Sequence, residues 1–232
     1  MDGIDIKIIL VNPARPENIG FCARAMKTLG FTDLRLVLPA FPIMETQARK
    51  TAYGSHDILE RITFHESLSD ALSDVEFSIG TTSKKRTLRK ETIHCADLPN
   101  IILAKKGSIG SIALVFGNEE NGLSKQDIGL CDIVSTIPLD VTYPSLNLSQ
   151  SVLVFLYELK RIPQGESAIK ATDNNPGLFK SVIEESDTIL KQLGIDDNPS
   201  YMRRIQDRIR LISTVDAHMM MTVIKKFKSK FL

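Results

Sequence analysis

Apolar positions along the chain follow two rhythms. Short runs rich in β-branched residues recur, IKIILV at 6–11, LRLVL at 34–38, EFSIG at 76–80, SIALVF at 111–116 and DIVSTI at 132–137, each the length of a buried strand. Between them the spacing turns helical. Ile19, Cys22, Ala23, Met26 and Leu29 repeat every three to four residues and stop at Gly30, with Asn18 placed to cap the start by its side chain. A second helix is predicted from about Asn147 to Arg161, with Leu148, Val152, Phe155, Leu156 and Leu159 on its apolar side and Pro163 just beyond it. Strands alternating with helices predict an α/β fold around a largely parallel sheet.

After Pro163 the texture changes. QGESAIKATDNNPG is polar and without period, so it reads as a linker, whereas LFKSVIEESDTILKQLG and the segment from Pro199 onward regain helical spacing. The expected organisation is a domain over 1–163, a linker over 164–176 and a small helical extension over 177–232. Within that extension the run Met219 to Met221 is expected to pack internally or against a partner subunit rather than to bind a cofactor.

Composition adds less than charge placement does. The 232 residues are 43% hydrophobic and 25% charged, enough for one moderate domain with an appendage. A net charge of +1 hides a gradient, because residues 199–232 carry 8 basic and 2 acidic groups while residues 165–198 carry 3 and 7. SKKRTLRK gathers Lys84, Lys85, Arg86, Arg89 and Lys90. Either basic run alone reads first as a solvated face; two in one short chain point to a polyanionic partner. Cys22, Cys95 and Cys131 are odd in number and form no CxxC pair, which fits a reducing, cytoplasmic compartment and no disulfide framework. The first apolar run is too short for a signal sequence, and no segment reaches the ~20 apolar residues of a membrane span, so a soluble chain is expected.

Several chemistries are excluded by missing residues. Gly117 and Gly122 in VFGNEENGLS have phosphate-loop spacing, but Leu123 occupies the position where such a loop needs lysine. Neither GxGxxG nor GxSxG follows any predicted strand. His56, His65, His94 and His218 show no HExxH spacing, so no metal is expected. What remains are three polar segments, NPARPENIGFCARAM, VFGNEENGL and YPSLNLSQS, each following a predicted strand, where open α/β sheets bind their ligands.

In order and spacing, NIGFCARAMKTLGF, LVFGNEENGLS and IPLDVTYPSLNLSQSV resemble the three motifs of the TrmH or SpoU type RNA 2′-O-methyltransferases of the SPOUT superfamily, and most nearly its TrmJ-like branch. The resemblance covers about residues 5–162. It implies a deep trefoil knot at the C-terminal end of the catalytic domain, a homodimer whose sites draw on both subunits, and S-adenosylmethionine as methyl donor. It implies RNA as substrate, tRNA at anticodon-loop position 32 with cytidine or uridine as target; a ribosomal RNA enzyme of the same family, or a non-catalytic RNA-binding relative, are the alternatives. By similarity, Asn18, Arg24, Glu119, Ser145 and Asn147 form the catalytic set. Glu119 is expected to balance Arg24 or hold the hydroxyl, or to sit as a carboxylate at a helix start. Thr81, Thr82, Ser83, Gly117, Ile137, Pro144, Ser145 and Leu146 are placed around the cofactor, with glycine at position 117 expected so that backbone can approach it. Lys84, Lys85, Arg86, Arg89, Arg203 and Arg204 are placed on the RNA. The family's proposal of an arginine base is resisted by chemistry, since a charged guanidinium has five donors and no acceptor; Arg24 is read instead as binding phosphate and stabilising the developing alkoxide.

Overall fold

The computed structural model describes residues 4–39, 46–83, 92–106, 108–140, 145–162, 177–197 and 199–231. The expected linker at 164–176 lies outside the described residues. In chain order the elements are β1 (Asp5–Val11), α1 (Pro16–Leu29), β2 (Asp33–Val37), α2 (Thr46–Thr51), α3 (His56–Leu59), β3 (Thr63–His65), α4 (Leu68–Ala71), β4 (Phe77–Thr81), β5 (Thr92–His94), α5 (Leu98–Ala104), β6 (Ser111–Phe116), α6 (Lys125–Leu130), β7 (Ile133–Thr136), α7 (Leu148–Lys160), α8 (Leu178–Gln192), α9 (Pro199–Ile209) and α10 (Thr214–Phe231). They divide between two compact units, one of Asp5–Pro99 with Ser111–Pro163, the other of Met1–Ile4, Asn100–Gly110 and Gln164–Leu232.

Among the described residues of the first unit seven strands form one sheet in the order β3-β2-β1-β6-β4-β7-β5, every pairing parallel. All five apolar runs become strands to within a residue or two. Two strands were not anticipated: β3 and β5 are three residues long, sit at the two edges, and carry two exposed positions each, so they give no apolar run to read. The centre of the sheet is where the order turns back, β1 and β6 having neighbours that run away in opposite directions along the chain. Parallel strands put their carboxyl ends on one side, so the loops leaving β1, β6, β4 and β7 converge there.

Period-two alternation assigns the faces of the sheet. Ile9, Val37, Ala113, Val115 and Val134 share one buried cluster with Leu68, Ala71, Leu123 and Ile128. The alternate positions, Ile8, Leu10, Leu114 and Phe116, are buried toward the opposite face. There Phe116 meets Phe155 of α7 edge-on, the ring centroids 5.5 Å apart at 82°, and α7 in turn packs along α1. All five apolar positions read for α7 are buried, worth roughly 1.5–3 kcal/mol each relative to exposure. Helix α1 ends as expected at Gly30, whose left-handed φ of 83° lets its N–H close on the Lys27 carbonyl. Its start is a correction. The cap position is Arg15, with Pro16 opening the first turn, and Asn18 lies inside the helix with its side chain committed elsewhere. Pro16 presets the helical φ and needs no N–H partner, which moves the start two residues ahead of the cap read from the sequence.

Strand β2 carries a charge inward. Arg35, only 8% exposed, bonds both Asp74 oxygens at 2.5 and 2.8 Å, donates to the Ala71 carbonyl at 2.9 Å and meets Asp33. Lys7 of β1 pairs with Asp5 and approaches Asp74 at 3.9 Å. The hydrogen bond from Arg35, reinforced by the charges of Arg35 and Lys7, holds the Asp74 carboxyl down to about 2. A carboxyl depressed in the folded state stabilises fully above its ordinary value of ~3.9 and loses that contribution as pH falls toward ~2. The stability gap between wild type and Asp74→Asn, measured by urea unfolding between pH 6 and pH 2.5, is therefore expected to narrow as the pH drops. A gap constant across that range would show that Asp74 acts by packing alone.

The second unit is helical in α8, α9 and α10. It also includes the chain around Lys105, which is 0% exposed: its ammonium donates to the Ile212 carbonyl at 3.1 Å and stands 3.7 Å from the centroid of the Phe179 ring. A buried lysine needs such partners, and they tie residues 100–110 to the tail's helices. Met219 is exposed, while Met220 and Met221 are half-buried.

Candidate active site

The loops at the carboxyl ends of β4, β6 and β7 and the start of α7 enclose one cavity of about 390 Å³. Thr81, Thr82 and Ser83 line it from β4, and Thr82 is fixed by its N–H to the Ser135 carbonyl at 3.0 Å. Ile137 enters from β7, Ser145 and Leu146 from the approach to α7, and Gly117 from β6. These are seven of the eight residues placed around the cofactor by sequence; the eighth, Pro144, lies outside the described residues.

The wall after β6 is a tight turn. Asn118 opens it, its side-chain oxygen accepting the N–H groups of Glu120 and Asn121 at 3.0 and 2.8 Å while its carbonyl accepts that of Gly122 at 2.9 Å. The turn folds back so closely that a Cβ on Gly117 would fall 2.1 Å from the Gly122 carbonyl carbon and 2.1 Å from the Leu123 nitrogen. This changes the reason for a glycine there, since the backbone it must admit is the chain's own.

Asn18, Glu119 and Asn147, from three segments far apart in sequence, are joined in one hydrogen-bonded row. Asn18 Nδ2 donates to Glu119 Oε1 at 2.5 Å, and Asn147 Nδ2 donates to Asn18 Oδ1 at 3.0 Å. The other Glu119 oxygen accepts the Ala14 N–H at 2.9 Å, pinning the loop that follows β1. At the far end, Asn147 Oδ1 accepts both the backbone N–H and the hydroxyl of Ser149 at 2.8 Å. Asn147 therefore caps α7, with Gln150 answering in a capping box, and reaches across to α1 with its remaining donor. Each amide has its orientation dictated by the next, and the row ends on a carboxylate that lines the cavity.

Glu119 is not at a helix start, because α6 begins at Lys125 with Ser124 as its cap. It does not balance Arg24 either, since among the described residues both its oxygens go to Ala14 and Asn18. Its charge reaches Cys22, whose thiol is pushed upward first by complete burial and second by Glu119, so this cysteine stays neutral. All three cysteines are buried, and none is in a disulfide. Arg24 stands exposed on α1, six residues past Asn18 and about 120° round the helix from it. The structure does not bring it into the row or the cavity lining.

Of the basic residues assigned to RNA, Lys84, Lys85, Arg86 and Arg89 lie outside the described residues. Arg203 is half-buried and Arg204 exposed on α9. Sequence reading missed the floor of the cavity, the buried Phe116 and Phe155, because alternation and helical spacing mark them only as core. It also missed Asn118, although an Asn followed by polar residues and Gly is a turn signal. Glu120, which lines the cavity and is exposed, was passed over beside Glu119. Among the described residues no cluster of His, Cys, Asp and Glu is placed to hold a metal ion, and no helix is long and apolar enough to cross a membrane.

The chain is similar to several known proteins. Over 215 residues, 93% of either chain, the protein is 36% identical to the Escherichia coli K12 protein named uncharacterized tRNA/rRNA methyltransferase LasT. It is 37% identical over 159 residues, 67% of either chain, to the tRNA (cytidine-2′-O-)-methyltransferase TrmJ of Methanocaldococcus jannaschii. The solved structure of a probable methylase family protein from Haemophilus influenzae Rd KW20 superposes with a TM-score of 0.69 at 27% identity, covering 97% of both chains. The profile of the SpoU rRNA Methylase family matches residues 5–157, the strands, the cavity loops and the amide row included. The chain belongs to the SpoU rRNA Methylase family.

Proposed function

We propose that the protein transfers a methyl group from S-adenosylmethionine to a ribose 2′-hydroxyl of RNA, with tRNA as the substrate class. The carrying observation is the row Glu119–Asn18–Asn147, which fixes three loops against one another beside the cavity. Family membership and a relative named as a tRNA 2′-O-methyltransferase support the same reaction. The finer assignment to cytidine or uridine at anticodon-loop position 32 belongs to this proposal, as do the roles of the residues that follow.

The cavity fits the cofactor chemically. Its walls are small hydroxyl side chains, turn backbone and an apolar floor, and among the described residues its ionisable lining groups, Glu119 and Glu120, are acidic, as suits a cationic ligand. When bound, the cofactor supplies an electrophilic methyl group on a sulfonium sulfur. Thr81, Thr82, Ser83, Gly117, Ile137, Ser145 and Leu146 hold it. Asn18, Glu119 and Asn147 keep the loops in register, so that the attacking hydroxyl is oriented before it reacts. Arg24 binds the adjoining phosphate and offsets the charge that builds on the 2′-oxygen while the proton passes to solvent.

This reading also takes in a trefoil knot at the C-terminal end of the catalytic domain and a homodimer. The convergence of the loops after β4, β6 and β7 on one cavity supports the first. Exposed Phe21 on α1 and exposed Leu153 and Tyr157 on the adjoining α7 support the second. Three cysteines that form no disulfide favour the cytoplasm. Arg203 and Arg204, in a segment rich in basic residues, are read as contacts of the helical extension with RNA.

Incubating the full chain with S-adenosylmethionine labelled in its methyl group and total RNA, then digesting the RNA to nucleosides, is expected to place the label in 2′-O-methylnucleosides of tRNA. Label found only in ribosomal RNA would move the substrate to the second reading, which the family's description favours. Label on a base would sink the proposal.

A further inference from the structure

Among the described residues of the catalytic unit the most exposed large apolar side chain is Tyr53, 79% open to solvent. It lies on a short loop that is firmly fixed on either side. Ala52 N–H donates to the Ala48 carbonyl at 3.0 Å, and the Ser55 N–H and hydroxyl both donate to the Ala52 carbonyl, at 2.8 and 2.9 Å. Ser55 is completely buried, and Gly54 turns the chain with a φ of +76°. A large ring held in water by a rigid loop contributes nothing to the core of its own unit.

Its neighbour can be placed from contacts on either side. Gly20, Arg24 and Lys27 follow one another along a ridge of α1 at intervals of four and three residues. At one end of the ridge α1 touches α2 so closely that a Cβ on Gly20 would fall 2.3 Å from the Ala48 carbonyl oxygen and 3.0 Å from the Ala52 nitrogen, and the Thr51 hydroxyl bonds the Glu17 carbonyl at 3.0 Å. At the other end Lys27 Nζ is 2.7 Å from Asp57 of α3. The chain from Thr51 to Asp57 thus runs from beside Gly20 to beside Lys27, the two ends of the ridge that carries Arg24. Lys50 is exposed just before Thr51, and among the described residues neither Lys50 nor Arg24 makes an ion pair.

We propose that Tyr53 is a stacking platform for an unpaired nucleobase of the RNA substrate, with Arg24 and Lys50 on the phosphates beside it. This rests on the RNA-methylating reading given above. A ribose in a folded RNA must be held with its nucleotide splayed out of the stack, and an aromatic face next to cationic groups does so for any base. The ring gives the active site a hold on the substrate that neither the amide row nor the cavity provides. Because stacking reads no base edge, the site tolerates more than one base.

The test uses the full chain as wild type, Tyr53→Ala and Tyr53→Phe, with unmodified tRNA. Alanine is expected to raise the Kd for tRNA about five- to hundredfold, the range for loss of one stacked base, and to lower kcat/KM in parallel. The Kd for S-adenosylmethionine, the Tm and the molecular mass in solution should not change. Phenylalanine, which keeps the ring, should restore most of the loss. Wild-type affinity in the alanine variant would overturn the proposal. So would a phenylalanine variant as weak as alanine, which would make the hydroxyl the contact, or a change of mass, which would place the ring between two copies of the chain. A wild-type protein that methylates no ribose overturns the proposed reaction instead, and the tRNA Kd comparison still decides whether Tyr53 holds RNA.

Discussion

Replacing Arg24 by alanine is expected to slow methyl transfer about 10²–10³-fold, the usual cost of removing one preorganised donor to a developing oxyanion, without lowering the Tm. The separation of effects follows from where Arg24 sits. It is exposed on the outer side of α1, it holds no ion pair among the described residues, and alanine is the strongest helix former. By contrast Asn18, six residues earlier, is only 4% exposed and bonded on both amide atoms, so its removal would unsettle three loops at once. Arg24→Lys distinguishes the possible roles of the side chain. Lysine keeps a charge for phosphate but loses the planar fork, so it should recover part of the rate if Arg24 acts by charge. Single-turnover methylation of tRNA, with the RNA Kd measured separately, reads this directly. Full activity in Arg24→Ala would remove Arg24 from the site altogether.

How much of this was legible in the sequence depends on the range of the interactions involved. Local rules served well where neighbours along the chain decide the outcome. The stripe from Leu148 to Leu159 became α7, and Gly30 closed α1. They failed at Asn18, whose residue type fits a helix cap but whose partner, Glu119, lies 101 residues away. No spacing rule carries information across that distance, so the family motifs supplied the set but not its connectivity. The same limit hid the tie between Lys105 and the tail, since its ammonium bonds the carbonyl of Ile212, 107 residues on. The edge strands β3 and β5 escaped for the opposite reason: they are too short and too exposed to leave a pattern.

Gly117→Ala is the second substitution with a large expected effect, and Gly122→Ala is the control that explains it. Gly122 has a φ of +69° and open space where a Cβ would go, so alanine there costs only left-handed strain of about 1–2 kcal/mol. At Gly117 the obstacle is backbone. The added carbon would overlap the Gly122–Leu123 peptide at 2.1 Å, and neither strand β6 nor the turn can yield by a rotamer change. Relief has to come from opening the turn, which carries Glu119 away from Ala14 and Asn18 and widens the cavity wall. Gly117→Ala should therefore weaken S-adenosylmethionine binding about a hundredfold or more, the loss of two charge-assisted hydrogen bonds and the packing around them, and it should also lower the Tm. In Gly122→Ala, isothermal titration is expected to show nearly unaltered cofactor affinity together with a small drop in Tm. Equal losses in the two variants would mean that the turn's conformational strain, and not its close approach to β6, sets the shape of the site.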